Sequence, residues 1–483
     1  GYYPDLASPR LTAIACIGHN RYSTNTASTF ARVQPFSLLG HNGEINTIAQ
    51  LRRQARFIGI EPCVEGSDSQ DLNRLLAHLV FRDGLTLPEA MELLFPPIWH
   101  EVEQYRPEWQ DLYRYLRNLF GPFAQGPAAV FARAGDWLEF SVDAMGLRPL
   151  WRLETGATWV FSSEPGVVPL DVLVADPRPF APGEKAAVRL GAEGCRLWEY
   201  PEIQEFVLEK IRERGLPWDG NRTHLLAGER SSQAAELVSL ERILAGAGWQ
   251  QDDQRLVEEM VESGSEPIAS LGYDAPLAAL GKIPANLADF CKETVAVVTN
   301  PAIDRERETE HFSLRTVVAG RPQWPWADGE RLPAAELESL PETVELSTPL
   351  LVHEDEVIAL LPEDGWRRLD AAVRPGESLV SACERLGAEA VAAVRTHARV
   401  IVLDDAAAVA GQAGWLDPHL ALAAVEESLG SLRREVGVIL RSAGLRNLHD
   451  IMVALGMGAE AVVPYALWAV AAQAGAGGDG IVR

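Results

Sequence analysis

Between residues 200 and 235 the character of this chain changes to charged and helical, and a domain boundary fits there. Upstream, "PAAVFARAGDWLEFSVDAMGLRPLWRLETGATWVFSSEP" (127–165) alternates short apolar runs with Gly-containing turns, the pattern of an antiparallel meander. Residues 12–47 also read as β-structure with two polar corners: "TAIACIG", the corner "HNRYSTNT", then "PFSLLG" and the turn-like "GHNGEIN". A helix is predicted from about Ser69, because "SDSQDLNRLLAHLV" offers Ser and Asp as N-caps and then spaces Leu72, Leu75, Leu76 and Leu79 helically.

The charged helix "EIQEFVLEKIRERG" and the loop near "PWDGNRTH" mark the change. Beyond them, helix-periodic segments ("AAELVSLERILAGAG", "DDQRLVEEMVESG", "ANLADFCKETVAVV") alternate with strand-like runs ("ARVIVLDD", "EVGVIL"), an α/β pattern. The expectation is an α+β domain over 1–205, a linker over 206–235, an α/β domain over 236–475 and an Ala/Gly-rich tail over 476–483.

Forty-three Lys and Arg against 68 Asp and Glu leave a formal charge of −25, which repels phosphate backbones and anionic lipid. Neither nucleic acid nor a membrane surface is an expected partner. Five scattered cysteines (16, 63, 195, 291 and 383), with no C-x-x-C, argue against a disulfide framework and for a reducing, cytoplasmic setting. The longest bland stretch, "AEAVVPYALWAVAAQAGAG", is mostly Ala and contains Pro464, so it reads as a packing helix rather than a membrane span.

Three polar loops carry candidate chemistry. In "GHNGEIN" the Gly43 N–H and the Asn42 side-chain amide form two donors suited to an anionic tetrahedral oxygen; the competing reading is an ordinary hairpin with Asx-turn chemistry. Arg21, in "HNRYSTNT", offers a guanidinium for a carboxylate. Asp68, in "GSDSQD", offers an acceptor for an ammonium group, or caps the following helix. A free α-amino acid with a scissile side-chain amide is the ligand that requires all three, which predicts that the loops converge on one cavity.

Two further signals carry less. Cys16 and His19 lie three apart on an expected strand, hence on opposite faces, and nothing beside Cys63 would activate its thiol. "GMGAEA" (456–461) fits a dinucleotide fingerprint in letters, but a helix-like run precedes it, so it reads as a helix terminus.

The strings "YYPDL", "RYSTNT", "VQPF", "HNGEINT", "SDSQDLN", "DAMGLRP", "SSEPGV" and "PGE" resemble, in this order, the class II glutamine amidotransferase domain of the glutamate synthase large subunit. "SGSEPIASLGYDAPLAAL", "VTNPAID" and "LRNLHDIMVALGMGAEAVVPY" resemble its central domain. The resemblance implies an N-terminal-nucleophile αββα sandwich, here incomplete, followed by an α/β central domain. It implies hydrolysis of L-glutamine, with ammonia channelled to a site that aminates 2-oxoglutarate. By position, Asn42 and Gly43 match the family's oxyanion hole, Arg21 its α-carboxylate clamp and Asp68 its α-amino acceptor.

The resemblance also implies an amino-terminal cysteine nucleophile, and residue 1 here is Gly. A chain beginning at Gly1 would lack that thiol. The resemblance also implies a flavin barrel, with FMN and an iron–sulfur cluster, after the central domain. The expectation is that either a longer reading frame or separate partner chains supply the nucleophile and the flavin domain. Tyr273 and the "LDD" at 403–405 depart from the family pattern. The alternative is a catalytically inactive glutamine-binding or scaffold module. A phosphoribosyl-linked amidotransferase would need a nucleotide loop downstream, which the sequence lacks.

Overall fold

The computed structural model describes residues 4–20, 27–45, 48–63, 66–121, 124, 126–192, 194–218, 223–226, 240–265, 286–291, 313–327, 330–331 and 343–476. The chain forms two compact units, the first running from Gly1 to Leu216 with two later segments, the second taking the rest. The break falls downstream of the boundary expected at 205, because the helix Tyr200–Glu213 buries Ile203, Val207, Leu208 and Ile211 within the first unit.

In the first unit, five antiparallel strands lie in the order β1 (Leu39–Gly43), β2 (Ala128–Ala134), β3 (Trp137–Val142), β7 (Lys185–Gly191), β8 (Gly194–Glu199). A second sheet, β5 (Trp159–Ser162), β4 (Trp151–Glu154), β6 (Arg178–Pro179), covers one face. Phe140 on β3 stacks on Phe161 on β5 with ring centroids 3.6 Å apart, among Leu138, Val142, Leu150, Phe180 and Val188. The opposite face carries α2 (Asp68–Phe81), α3 (Leu87–Leu94), α5 (Pro107–Phe120) and α6 (Tyr200–Glu213), downstream of α1 (Ala49–Phe57) and with the short α4 (Trp99–Val102) between α3 and α5. Among the described residues this is helix, sheet and sheet, three layers of the expected four, and the unit is α+β.

The predicted helix at Ser69 forms as α2, with Leu72, Leu75, Leu76 and Leu79 all buried. Several expectations need correction. Residues 11–20 form no strand and leave Leu11, Ile14 and Cys16 exposed, since no described strand pairs with them. The expected meander is two hairpins in different sheets: β3 pairs with β7, and the Asp143–Leu150 connection carries the chain across to β4.

The second unit is α/β. Beside a three-stranded sheet of β9 (Thr223–Leu226), β10 (Thr316–Val318) and β11 (Thr343–Leu346), four parallel strands, β12 (Trp366–Asp370), β13 (Val400–Asp404), β14 (Gly437–Arg441) and β15 (Ala461–Val463), form its main sheet. The strands β13, β14 and β15 are buried on both faces because both are covered, whereas the edge strand β12 carries Arg367 and Arg368. Leu369, Ile401, Leu403, Val438 and Leu440 face the helices α9 (Leu379–Arg395), α10 (Pro418–Leu429) and α11 (Leu448–Met457). Val400, Val402, Ile439 and Val463 pack instead on α7 (Leu240–Gly246), α8 (Gln251–Ser263) and α12 (Tyr465–Gln473).

Two segments differ from expectation here as well. "ANLADFCKETVAVV" holds a 3₁₀ turn at Leu287–Phe290, and its residues from 292 on lie outside the described set. The bland stretch is half strand and half helix, β15 then α12, with Pro464 at the N-cap, where its fixed φ and missing N–H are tolerated. Among the described residues no helix is long and apolar enough to cross a membrane. All five cysteines are free.

Candidate active site

The motif at 40–46 is not a tight turn. His41, Asn42 and Gly43 end strand β1, opposite Val130, Ala129 and Ala128. Asn42 lies in a hydrogen-bonded pair of this antiparallel ladder, as the flanking bonds Arg133 N–H to Leu38 O and Glu44 N–H to Pro127 O require. The N–H groups of Leu39, His41 and Gly43 therefore turn to the outer edge. Asn73 Oδ1 accepts the first at 3.1 Å and Gln34 Oε1 the second at 2.6 Å. Gly43, at φ 139°, brings its own N–H to the same edge. Only glycine fits, because a Cβ there would lie 1.8 Å from Pro127 O.

The Asn42 amide is fixed at both ends. Arg148 donates to Oδ1, and Nδ2 donates to Ser163 Oγ at 2.9 Å. With the oxygen held by a guanidinium, the amide cannot flip and its N–H groups stay on the Ser163 side. Arg148 is placed by the "DAMGLRP" loop, which wraps around Asp143. That carboxylate accepts the backbone N–H groups of Met145, Leu147, Arg148 and Ala128 at 2.9–3.2 Å. Burial pushes its carboxyl up, and the four donors oppose the shift.

Asp68 is the first residue of α2, and the capping role belongs to its neighbour. The Ser67 hydroxyl accepts Gln70 N–H and the Gln70 side chain accepts Ser67 N–H, a complete capping box. Asp68 Oδ1 instead accepts both the N–H (2.6 Å) and the hydroxyl (3.0 Å) of Ser69. Ser69 Oγ lies 2.6 Å from Nε2 of buried His41. Burial pulls the His41 imidazole down to about 4; the Asp68 charge opposes the shift and His19 adds to it. One hydrogen bond thus joins the neighbours of Asn42 and Asp68.

Arg21 lies outside the described residues, so two of the three predicted loops are seen together. Cys63 is half-buried, its N–H donating to Asp71 Oδ1, while Asp71 Oδ2 pairs with Arg52. Among the described residues no group of His, Cys, Asp and Glu could hold a metal ion. His41, Ser69, Arg148, Ser163 and Asp143 were not singled out by sequence reasoning. All five stand inside or beside the quoted polar strings, but only His41 lies on a strand, where a buried polar side chain is a usable signal; Ser69 is on a helix and Asp143, Arg148 and Ser163 are in loops.

A second polar cluster sits at the carboxyl ends of the parallel strands. Arg368 donates to Glu354 (2.7 Å) and Asp404 (2.6 Å), and Arg441 pairs with the same two acids at 3.4 and 2.7 Å, closing a ring. Beside it, buried Asp405 accepts from the Ser442 hydroxyl, Ala443 N–H and the Tyr465 hydroxyl, and burial pushes it up to about 6. "GMGAEA" forms the end of α11, with Gly458 at the C-cap at φ 125°, then the start of β15. Tyr273 lies outside the described residues.

A glycine-ended strand carrying a braced amide beside a helix-borne carboxylate defines, with the comparisons, a class of protein. Residues 1–207 match the family model of class-II glutamine amidotransferases, and residues 242–479 match that of the glutamate synthase central domain. The chain is 30% identical to the glutamate synthase (NADPH) large chain of Azospirillum brasilense, covering 96% of this chain and 32% of that one. It is 31% identical to the chloroplastic ferredoxin-dependent glutamate synthase 2 of Arabidopsis thaliana (96% and 30%), and 27% identical to the glutamate synthase (NADPH) large chain of Bacillus subtilis (98% and 32%). The chain belongs to the glutamate synthase large-subunit family, and it spans about a third of the length of these relatives.

Proposed function

We propose that the first unit binds L-glutamine and stabilises the tetrahedral intermediate formed when its side-chain amide is hydrolysed. In this reading Asn42 Nδ2–H and Gly43 N–H receive the developing oxyanion, Asp68 takes the α-ammonium and Arg21 the α-carboxylate. The ammonia released serves a 2-oxoglutarate-aminating reaction, reached through the central domain, with FMN and an iron–sulfur cluster supplied by further family domains. The relatives' shared name, glutamate synthase, supports that destination.

The observation that carries the proposal is the braced Asn42. Pinning Oδ1 with Arg148 pre-orients the amide donor, so no reorganisation is needed when charge develops. The family's amino-terminal cysteine, which is not residue 1 of this sequence, would supply the thiol. Its sulfur bonds to the carbonyl carbon, its proton passes to its own α-amine, the carbonyl electrons move to oxygen, and these two donors meet the charge. Collapse of the intermediate re-forms the carbonyl and breaks the C–N bond as the held proton passes to nitrogen; ammonia leaves, and water then hydrolyses the thioester to glutamate and free thiol.

Calorimetric titration of the full polypeptide with L-glutamine tests the reading. Arg21→Ala should raise Kd by about 30-fold or more, the loss expected of a bidentate charged contact worth roughly 2 kcal/mol. Asn42→Ala should lower turnover about 100-fold with Kd little changed. An unaltered Kd in the first variant removes the clamp, and unaltered turnover in the second removes the oxyanion role.

A further inference from the structure

We propose that Ser69 and His41 are positioning residues: a donor chain from His41 Nε2–H through the Ser69 hydroxyl to Asp68 Oδ1 holds that carboxylate so that its other oxygen faces the α-ammonium of the ligand. This rests on the reading of Asp68 given above and extends it to two residues to which that reading gives no role.

The chain has one consistent direction. Ser69 Oγ is 3.0 Å from Asp68 Oδ1, and a carboxylate only accepts, so the hydroxyl proton goes there. The hydroxyl oxygen is then the acceptor for His41 Nε2 at 2.6 Å, which places the imidazole proton on Nε2. Nδ1, left as the unprotonated nitrogen, has no partner among the described residues. His41 and Ser69 are each about 4% exposed, so water does not compete for either contact.

The arrangement is not needed to start the helix. Ser67 and Gln70 already complete the capping box of α2, and Ser67 Oγ accepts the Gln70 N–H at 3.2 Å. What Ser69 adds is a second donor on the same carboxylate oxygen that its own N–H already holds at 2.6 Å. Two donors on Oδ1 fix the carboxyl plane. Among the described residues Oδ2 has no hydrogen bond, and it is the oxygen left for an incoming cation. His41 precedes Asn42 on β1, so the same side chain ties the strand that offers the oxyanion donors to the helix end that offers the ammonium acceptor.

The test compares two ligands in calorimetric titrations of the full polypeptide: L-glutamine, and 5-amino-5-oxopentanoate, which keeps the amide and the carboxylate but lacks the α-amino group. Ser69→Ala and His41→Leu should each weaken L-glutamine binding about tenfold, the scale of one misaligned charge-assisted contact, and shift the analogue less than about twofold. His41→Gln, whose amide N–H reaches the place of Nε2, should restore most of the loss. A purely structural role would move both ligands together. Equal weakening of both, or no change for L-glutamine in Ser69→Ala, overturns the proposal while leaving Asp68 as the acceptor. If the unsubstituted protein binds the analogue as tightly as L-glutamine, or binds neither, the reading of Asp68 falls and this proposal with it.

Discussion

The polar clusters of the two units use the same residue types and are closed to different degrees. At the ends of the parallel strands, Arg368, Glu354, Arg441 and Asp404 form a ring in which every charge meets two opposite charges. Around His41 and Asp68 the network is open. Asp68 keeps an oxygen without a hydrogen bond among the described residues, and the braced Asn42 amide and the Gly43 N–H lie at a strand edge. A cluster that satisfies itself holds a fold together, and one that stops short is ready for a ligand. That difference, rather than the number of charges, separates a brace from a binding site.

The largest effect should come from opening the ring. Arg441 is largely buried, pairs with both acids and lies 4.3 Å from the Tyr465 ring centroid. Arg441→Ala leaves Asp404 and Glu354 sharing one arginine, and unfolding by urea should show the second unit weakened by about 3 to 5 kcal/mol. A loss below about 1 kcal/mol would show that water already serves these acids, and the contrast would fail.

The same contrast governs what the sequence made legible. Two strands of the second unit, β13 and β14, were readable because burial on both faces makes them continuous apolar runs such as "RVIVLD". The strand β12, whose letters are Trp-Arg-Arg-Leu-Asp, and the three-residue β15, read as part of a helix, were not. The helix α2 was readable from its Ser and Asp capping residues and its leucine spacing. Unit one was harder. Its residues 11–20 carry strand-like letters with no described partner strand, and the hairpin ending at Val142 changes sheets through a loop whose path depends on Asp143 gathering four backbone N–H groups. At the site, Asn42, Gly43 and Asp68 were singled out because glycines beside polar residues are conspicuous. Arg148 and Ser163 lie 106 and 121 residues from Asn42 in sequence, and no local pattern announces such a contact.

In acid, His41 in the first unit and Asp405 in the second should contribute to stability with opposite signs. His41 is held near 4, below its ordinary 6.5, first by burial. Between those values the unfolded chain takes up a proton that the folded one refuses, so stability is present above 6.5 and falls by about 3 kcal/mol on descending to 4. Asp405 is raised from 3.8 to about 6, again first by burial, with the nearby Asp404 charge adding to the shift and its three donors opposing it. Here the folded chain takes up the proton first, so the second unit gains about 3 kcal/mol over the same descent. Native-state hydrogen exchange, read separately for each unit at pH 7 and 4.5, should show His41→Gln removing the loss in the first and Asp405→Asn removing the gain in the second. Glu92, Glu139 and Asp143, all raised by burial, add an acid-side gain to the first unit, so the difference between parent and variant is the readout. Differences of the same sign for His41 and Asp405 would break the comparison.

The smallest effect should come from the open site itself. Ser163 accepts one neutral hydrogen bond from Asn42 Nδ2, and both side chains are only partly buried. In Ser163→Ala solvent can reach the released N–H, so the cost should be about 1 kcal/mol or less by chemical unfolding. Arg148 still holds the amide oxygen in that variant, so the Asn42 donors keep their orientation. A cost above about 2 kcal/mol would mean that no water reaches this face, and an amide sealed from water has no room for a substrate oxygen.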